Sequence, residues 1–106
     1  MSDFALEVEE NGLEHYPEDA LLAFYEDQGT LEDFEDSYCG RYEGRDEYAA
    51  IGNYLEELEE EMGTMDEIPS RFRFYIDWYH MGRDARFNGE FWAEQNGYQW
   101  YVFRSY

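Results

Sequence analysis

The chain has 106 residues, enough for one compact domain or for a domain with a small helical extension, and too few for two independent enzyme domains. Its 27 Asp and Glu stand against seven Arg and no Lys, a formal net charge of −20, which excludes a basic nucleic-acid-binding patch. Aromatic residues make up 21% of the chain, enough large side chains to build a core despite a mean hydropathy of −0.87, and this excludes a disordered acidic tail.

Taken in chain order, the first signal is Pro17, placed where a first helical residue is favoured, with Glu18 and Asp19 setting negative charge against the positive end of the helix that follows. Ala20, Leu21, Phe24 and Tyr25 form its inward side and Gly29 ends it. A second short helix is predicted immediately afterwards, with Thr30 as N-cap, Asp33 completing a capping box, and Leu31 and Phe34 turned inward. Ser37 to Glu43, with Tyr38, Cys39 and Tyr42 around Gly40, reads as a turn or a short strand.

From Asp46 to Met62 the apolar residues Tyr48, Ile51, Leu55, Leu58 and Met62 recur at helical spacing, so a long helix is predicted with Asp46 as its cap and Gly63 as its stop. Pro69 opens a further helical stretch, capped by Ser70 and running through Phe72, Tyr75, Ile76, Tyr79 and Met81 to about Phe87, with a break near Asp77. The period then changes. Glu90 to Gln95 and Tyr98 to Arg104 are aromatic-rich runs joined by Asn96-Gly97, a strong hairpin signal. The expected fold class is α+β: short N-terminal helices, a long acidic helix, and helices packed on a small antiparallel sheet that ends in a C-terminal β-hairpin. Residues 1–36 read as an acidic helical segment and 37–106 as an α+β domain, unless the two form one compact unit.

The charge is unevenly placed. Residues 1–67 hold 23 acids and two arginines, a net of −21, whereas residues 68–106 hold four acids and five arginines, a net of +1. Adaptation to salt would spread acids over all exposed surface, and self-repulsion on this scale destabilises a compact state, so the asymmetry points to a use. The helix from Asp46 to Glu61 carries Asp46, Glu47, Glu56, Glu57, Glu59, Glu60 and Glu61. That is one charge per ~3.4 Å of axis, near the ~3.4 Å spacing of phosphates along one DNA strand. Glu56 with Glu60 and Glu57 with Glu61 are like-charge neighbours that cost a few tenths of a kcal/mol each. Further strips come from Glu26, Asp27, Glu32, Asp33, Glu35 and Asp36, and from Glu7, Glu9, Glu10, Glu14, Glu18 and Asp19. Together with Glu43, Asp66 and Glu67 they define a candidate surface that imitates DNA phosphates and competes with DNA for the groove of a DNA-binding protein.

Other chemistry finds less support. Paired carboxylates act in glycoside hydrolysis only within a shaped, partly desolvated cleft, and here they are many and solvated, so no catalytic residue is assigned. His15, His80 and Cys39 lack a second ligand at metal-site spacing, so no metal and no cofactor is expected; His15 is expected exposed and His80 packed within its helix. Gly82-Arg83-Asp84 is given a structural role, an ion pair that fixes a helix to its neighbours, and Tyr75 and Asp77 are grouped with it. Cys39 alone cannot form an internal disulfide, no run of about 18 apolar residues exists, and Met1 to Glu10 does not resemble a signal peptide, so a soluble cytoplasmic protein is expected, with neither membrane nor nucleic acid bound directly.

Ile68-Pro69, Tyr75-Ile76-Asp77-Trp78, Gly82-Arg83-Asp84 and the closing Tyr101-Val102-Phe103 resemble the C-terminal domain of the ArdA antirestriction proteins of mobile elements. Tyr16-Pro17-Glu18-Asp19-Ala20 and the helix with Tyr48, Ala49, Ile51, Tyr54 and Leu55 resemble that family's middle and C-terminal parts, so the likeness covers Tyr16 to Tyr106. The resemblance implies a homodimeric, elongated DNA mimic that inhibits Type I restriction-modification enzymes in a bacterial host cell by occupying their DNA-binding subunit. It implies dimer contacts in the C-terminal part, where the near-neutral composition keeps two acidic faces apart, with a contribution from Tyr38, Cys39 and Tyr42. Family members carry an additional N-terminal α/β domain that this chain lacks, so a shorter mimic is expected, and Met1 followed by a fresh acidic segment favours a complete protein over a fragment of a longer chain. Two alternatives stay open: an acidic inhibitor of another DNA-binding defence complex, such as a CRISPR effector or a nuclease, and a salt-adapted interaction domain.

Overall fold

A computed structural model of the chain describes residues 3–105, apart from the side chains of Thr64, Met65, Ser70 and Phe74. The chain divides into two compact units, Met1–Tyr38 and Cys39–Tyr106. Helices α1 (Asp3–Glu10), α2 (Glu18–Gln28) and α3 (Phe34–Ser37) precede strand β1 (Tyr38–Glu43), helix α4 (Glu47–Glu61), 3-10 turns at Thr64–Glu67 and Ser70–Tyr75, helix α5 (Trp78–Phe87), and strands β2 (Phe91–Asn96) and β3 (Gln99–Arg104). This is the expected α+β class.

In the first unit, α2 follows Pro17 and ends at Gly29, whose φ of 77° is the left-handed conformation glycine adopts without steric cost. Leu13, Ala20, Leu21, Phe24, Leu31 and Phe34 are buried. Phe34 holds the core together. Its ring stacks on Tyr38 at 5.1 Å and meets the edges or faces of Tyr16 at 5.0 Å and Phe24 at 5.5 Å in T-shaped pairs. Burial of a ring of this size stabilises by roughly 1.5–3 kcal/mol. The predicted capping box at Thr30 is absent: Thr30 Oγ1 accepts from Glu32 N and donates to Glu7 Oε1 at 2.7 Å, and α3 starts only after Asp33. Instead a carboxylate from α1, that of Glu7, accepts both the Thr30 hydroxyl and the Leu31 N–H.

In the second unit the sheet order is β1-β3-β2. Antiparallel β2 and β3 pair in register from Phe91↔Arg104 to Asn96↔Gln99. That register puts Gly97 and Tyr98 in the two-residue loop, one position later than the Asn96-Gly97 turn expected. Only Gly97 has positive φ, 67°, so the loop uses glycine in first place, as type II′ turns do, whereas Asn-Gly at both positions would need positive φ at each. As the central strand, β3 buries Tyr101, Val102 and Phe103 consecutively. On one side Ala50, Ile51, Tyr54, Ala85, Phe91 and Val102 form the core that α4 and α5 share with the sheet. Trp92 stacks on Phe103, its cross-strand partner, at 4.3 Å.

Asp46 caps α4 as predicted, its Oδ1 accepting from Ala49 N at 3.0 Å, and Gly63 follows the helix with φ 75°. The predicted stripe shifts: Ala50, Ile51, Gly52 and Tyr54 are the buried positions, while Met62 is 61% exposed just past the helix end. The reason is the approach of α5. A Cβ at Gly52 would lie 2.3 Å from Trp78 O, and one at Gly82 would lie 2.2 Å from Tyr48 O, so the two helices cross with backbone nearly against backbone. The stretch after Pro69 is a 3-10 turn rather than an α-helix and starts from Pro69, not from a Ser70 cap. The chain is extended at Ile76, and Asp77 Oδ1 then accepts from His80 N at 2.9 Å to start α5, which is the break expected near Asp77.

Candidate functional site

Each unit carries its own acidic surface. The first unit holds thirteen of the 27 Asp and Glu and none of the seven Arg. Its Glu18, Asp19, Glu26, Asp27, Glu32, Asp33, Glu35 and Asp36 are all exposed. Glu18 and Asp19 stabilise the start of α2, where the helix dipole is positive. Glu26 and Asp27 occupy its last turn, where the dipole is negative and no basic residue offsets them. Asp27 does accept a hydrogen bond from the neighbouring Gln28 amide.

The same opposition recurs on α4, whose last turn also lacks a base and ends in Glu59, Glu60 and Glu61. Glu57, Glu60 and Glu61 are exposed, Glu56 and Glu59 half-buried. Five carboxylates therefore rise over about 7.5 Å of helix axis. A DNA duplex carries one charge per ~1.7 Å with both strands counted, so the local density matches a duplex rather than the single strand that averaging over the whole helix suggested. Burial, followed by the charge of Glu57 and its hydrogen bond, pushes the Tyr42 phenol far above its ordinary range.

Three carboxylates that the sequence placed among the acidic strips are engaged inside the fold. Asp46, besides capping α4, accepts the Tyr79 hydroxyl on Oδ2 at 2.8 Å and lies 4.0 Å from Arg45 Nε, while the Arg45 guanidinium covers the Tyr79 ring at 4.5 Å. Glu47 Oε2 takes the Arg86 Nε–H of α5 at 3.3 Å. Glu7 accepts the Leu31 N–H at 2.9 Å and the Thr30 hydroxyl, and these two bonds hold its carboxyl below the usual range. Asp66 is 3.9 Å from Arg73 at the surface, a pair worth little in water, and Glu43 and Glu67 are exposed.

The residues given structural roles separate as well. Asp77 is a helix cap. Arg83 and Asp84 do not fix α5 to its neighbours: Arg83 covers Phe87 of the same helix at 5.3 Å, and Asp84 pairs with His80 at 3.3 Å, one turn away. Adjacent helical residues point in different directions, so an Arg83–Asp84 pair had no geometric basis. Tyr75 is 82% exposed, and Met81 and His80 are exposed, because the 3-10 turn breaks the helical stripe on which they were placed. Gly82 is the member of that motif that makes the interhelix contact, and Gly52, which sequence reading passed over, is its counterpart. A glycine inside a helix costs about 1 kcal/mol relative to alanine, and that cost was the available signal of close approach.

Among the described residues no three His, Cys, Asp or Glu side chains gather in a way that could hold a metal ion. Cys39 is half-buried, and burial raises its thiol pKa, so thiolate chemistry is disfavoured there. No helix among the described residues is long and apolar enough to cross a membrane.

The described residues thus form an α+β fold with solvated carboxylates crowded onto helix ends and few bases beside them. The family model of the antirestriction protein ArdA matches residues 2–100, so the chain belongs to the ArdA family of antirestriction proteins, a family of protein inhibitors. The match starts fourteen residues before Tyr16, so the acidic N-terminal segment is part of the family likeness too. No curated protein and no solved structure gives a significant match.

Proposed function

We propose that this protein imitates the phosphate array of DNA and inhibits a Type I restriction-modification enzyme by occupying the site at which its DNA-binding subunit holds DNA. The observation that carries the reading is the retention of exposed carboxylates against the dipole at the ends of α2 and α4, with no basic residue in either last turn. Each such charge destabilises its helix, and a partner's cationic groove would offset that loss. Because the acids stand on helices rather than on a flexible tail, little ordering entropy opposes binding. The protein acts as a stoichiometric competitor without catalysis, and the exposed aromatic residues of its less acidic C-terminal part, among them Phe72, Tyr75 and Phe87, serve a homodimer contact.

The test is displacement of labelled DNA from a Type I enzyme by this protein across a salt series. Displacement is expected, and the protein's own affinity for the enzyme, corrected for DNA binding at each salt concentration, should fall steeply as salt rises because its binding releases counterions. Absence of displacement at every salt concentration excludes that enzyme as the target. Gel filtration with light scattering checks the dimer.

A further inference from the structure

The first unit contains an open groove of about 310 Å³ against α1 and α2, lined by Phe4, Ala5, Val8, Tyr16 and Leu21 and by two acidic residues, Glu14 and Glu18. Both aromatic walls pack against other rings, and the His15 ring lies 4.2 Å from that of Tyr16, leaving the Phe4 ring as the other aromatic wall for a planar cation. Phe4 meets Tyr25 in a T-shaped contact at 5.4 Å, and Tyr16 meets Phe34 at 5.0 Å and Tyr38 at 5.7 Å in the same manner. The groove therefore needs little reorganisation to accept a ligand, and Glu14 and Glu18 are both exposed.

We infer that this groove is a receptor for one arginine side chain of the protein partner. The chemistry on its walls matches arginine in each part. An apolar stem can lie along Val8 and Leu21, a planar guanidinium can stack on a tyrosine or phenylalanine face, and its fork of N–H donors can bind two carboxylates. A lysine shares the stem and the charge but not the plane or the fork. A phosphate ester or any other anion is repelled here, since the first unit contains no Arg or Lys. The inference rests on the reading that the partner is a DNA-binding protein, whose groove would supply arginines, and it adds a position-specific contact to an otherwise diffuse electrostatic attraction.

The test is an NMR titration of the labelled protein with N-acetyl-arginine methylamide, beside N-acetyl-lysine methylamide and sodium chloride at equal ionic strength. The largest shifts are expected at Phe4, Val8, Tyr16 and Leu21, with arginine binding at least about fivefold more tightly than lysine. Val8→Trp, which fills the groove without changing charge, and the double variant Glu14→Gln/Glu18→Gln, which alters only exposed groups, should each abolish those shifts. Shifts no larger than those from sodium chloride, equal responses to lysine and arginine, or shifts that survive both variants would overturn the assignment. DNA displacement by the wild-type protein is scored separately. A protein that displaces DNA while its groove ignores arginine retains the mimicry reading and loses this site, whereas a groove that takes arginine in a protein unable to displace DNA retains the site and loses the mimicry.

Discussion

Gly82 of α5 lies directly on Gly52 of α4: a Cβ built on Gly82 would be 2.6 Å from the Gly52 backbone nitrogen and 3.1 Å from its Cα. No side chain intervenes where the helices cross, so Tyr48, Tyr79 and Phe87 pack around the crossing, with ring centroids 5.9 and 5.7 Å from Tyr48.

Gly82→Ala should therefore destabilise the second unit by about 1–3 kcal/mol, the usual cost of overpacking, because the methyl group meets backbone that cannot rotate away. Gly52→Ala should do the same through Trp78 O. Urea unfolding followed by tryptophan fluorescence measures the loss. A change within a few tenths of a kcal/mol would mean that the helices cross less closely than this.

Asp46→Ala removes the α4 cap and the acceptor of the Tyr79 hydroxyl together, and should cost about 1–2 kcal/mol. Asp46→Asn keeps a capping acceptor and should cost less. Neither should weaken DNA displacement as much as neutralising an exposed carboxylate of α4, because Asp46 is engaged within the fold. Parallel urea melts and competition titrations separate the two effects.

Glu60→Gln and Glu61→Gln should change stability and inhibition in opposite directions. Each removes a like charge from a crowded last turn and from the negative end of a helix, so the urea midpoint should rise. Each also removes one phosphate-like charge, so displacement of DNA should weaken by roughly twofold and the salt slope should become shallower. A gain in stability with unchanged inhibition would place the α4 end outside the contact.

The Glu7 carboxyl has its pKa lowered in the folded state from an ordinary 4.5 by the Leu31 N–H and then the Thr30 hydroxyl. A depressed folded-state pKa contributes stability that is complete above the unfolded value and is lost as pH falls through the folded one. The first unit should thus weaken as pH falls below about 4.5, and Glu7→Gln should flatten that part of the acid unfolding curve. Circular dichroism from pH 6 down to about pH 2 records it, and identical acid limbs for the two proteins would exclude Glu7 as the linked group.

Features set by a few adjacent residues were legible without the structure. Gly29 and Gly63 end helices because positive φ excludes most other residues there, Asp46 caps α4 because its carboxylate reaches an amide three residues on, and the aromatic runs around Gly97 pair because a two-residue loop returns the chain upon itself. The motifs around Pro17, Asp77 and Gly82 likewise carried a resemblance to the ArdA family, which the family match over residues 2–100 bears out.

What only the tertiary structure decided is which carboxylates stay in solvent. Glu7 is claimed from 24 residues away, Asp46 from 33 and Glu47 from 39, by Leu31, Tyr79 and Arg86. Those pairings depend on how helices cross and strands register, which no local window of sequence specifies. The same distance of cause from effect moved the buried stripe of α4 toward Gly52 and left Tyr75 exposed. Net charge is a sum over residues and is indifferent to order, but the charge a partner could meet consists only of the carboxylates that folding leaves unclaimed.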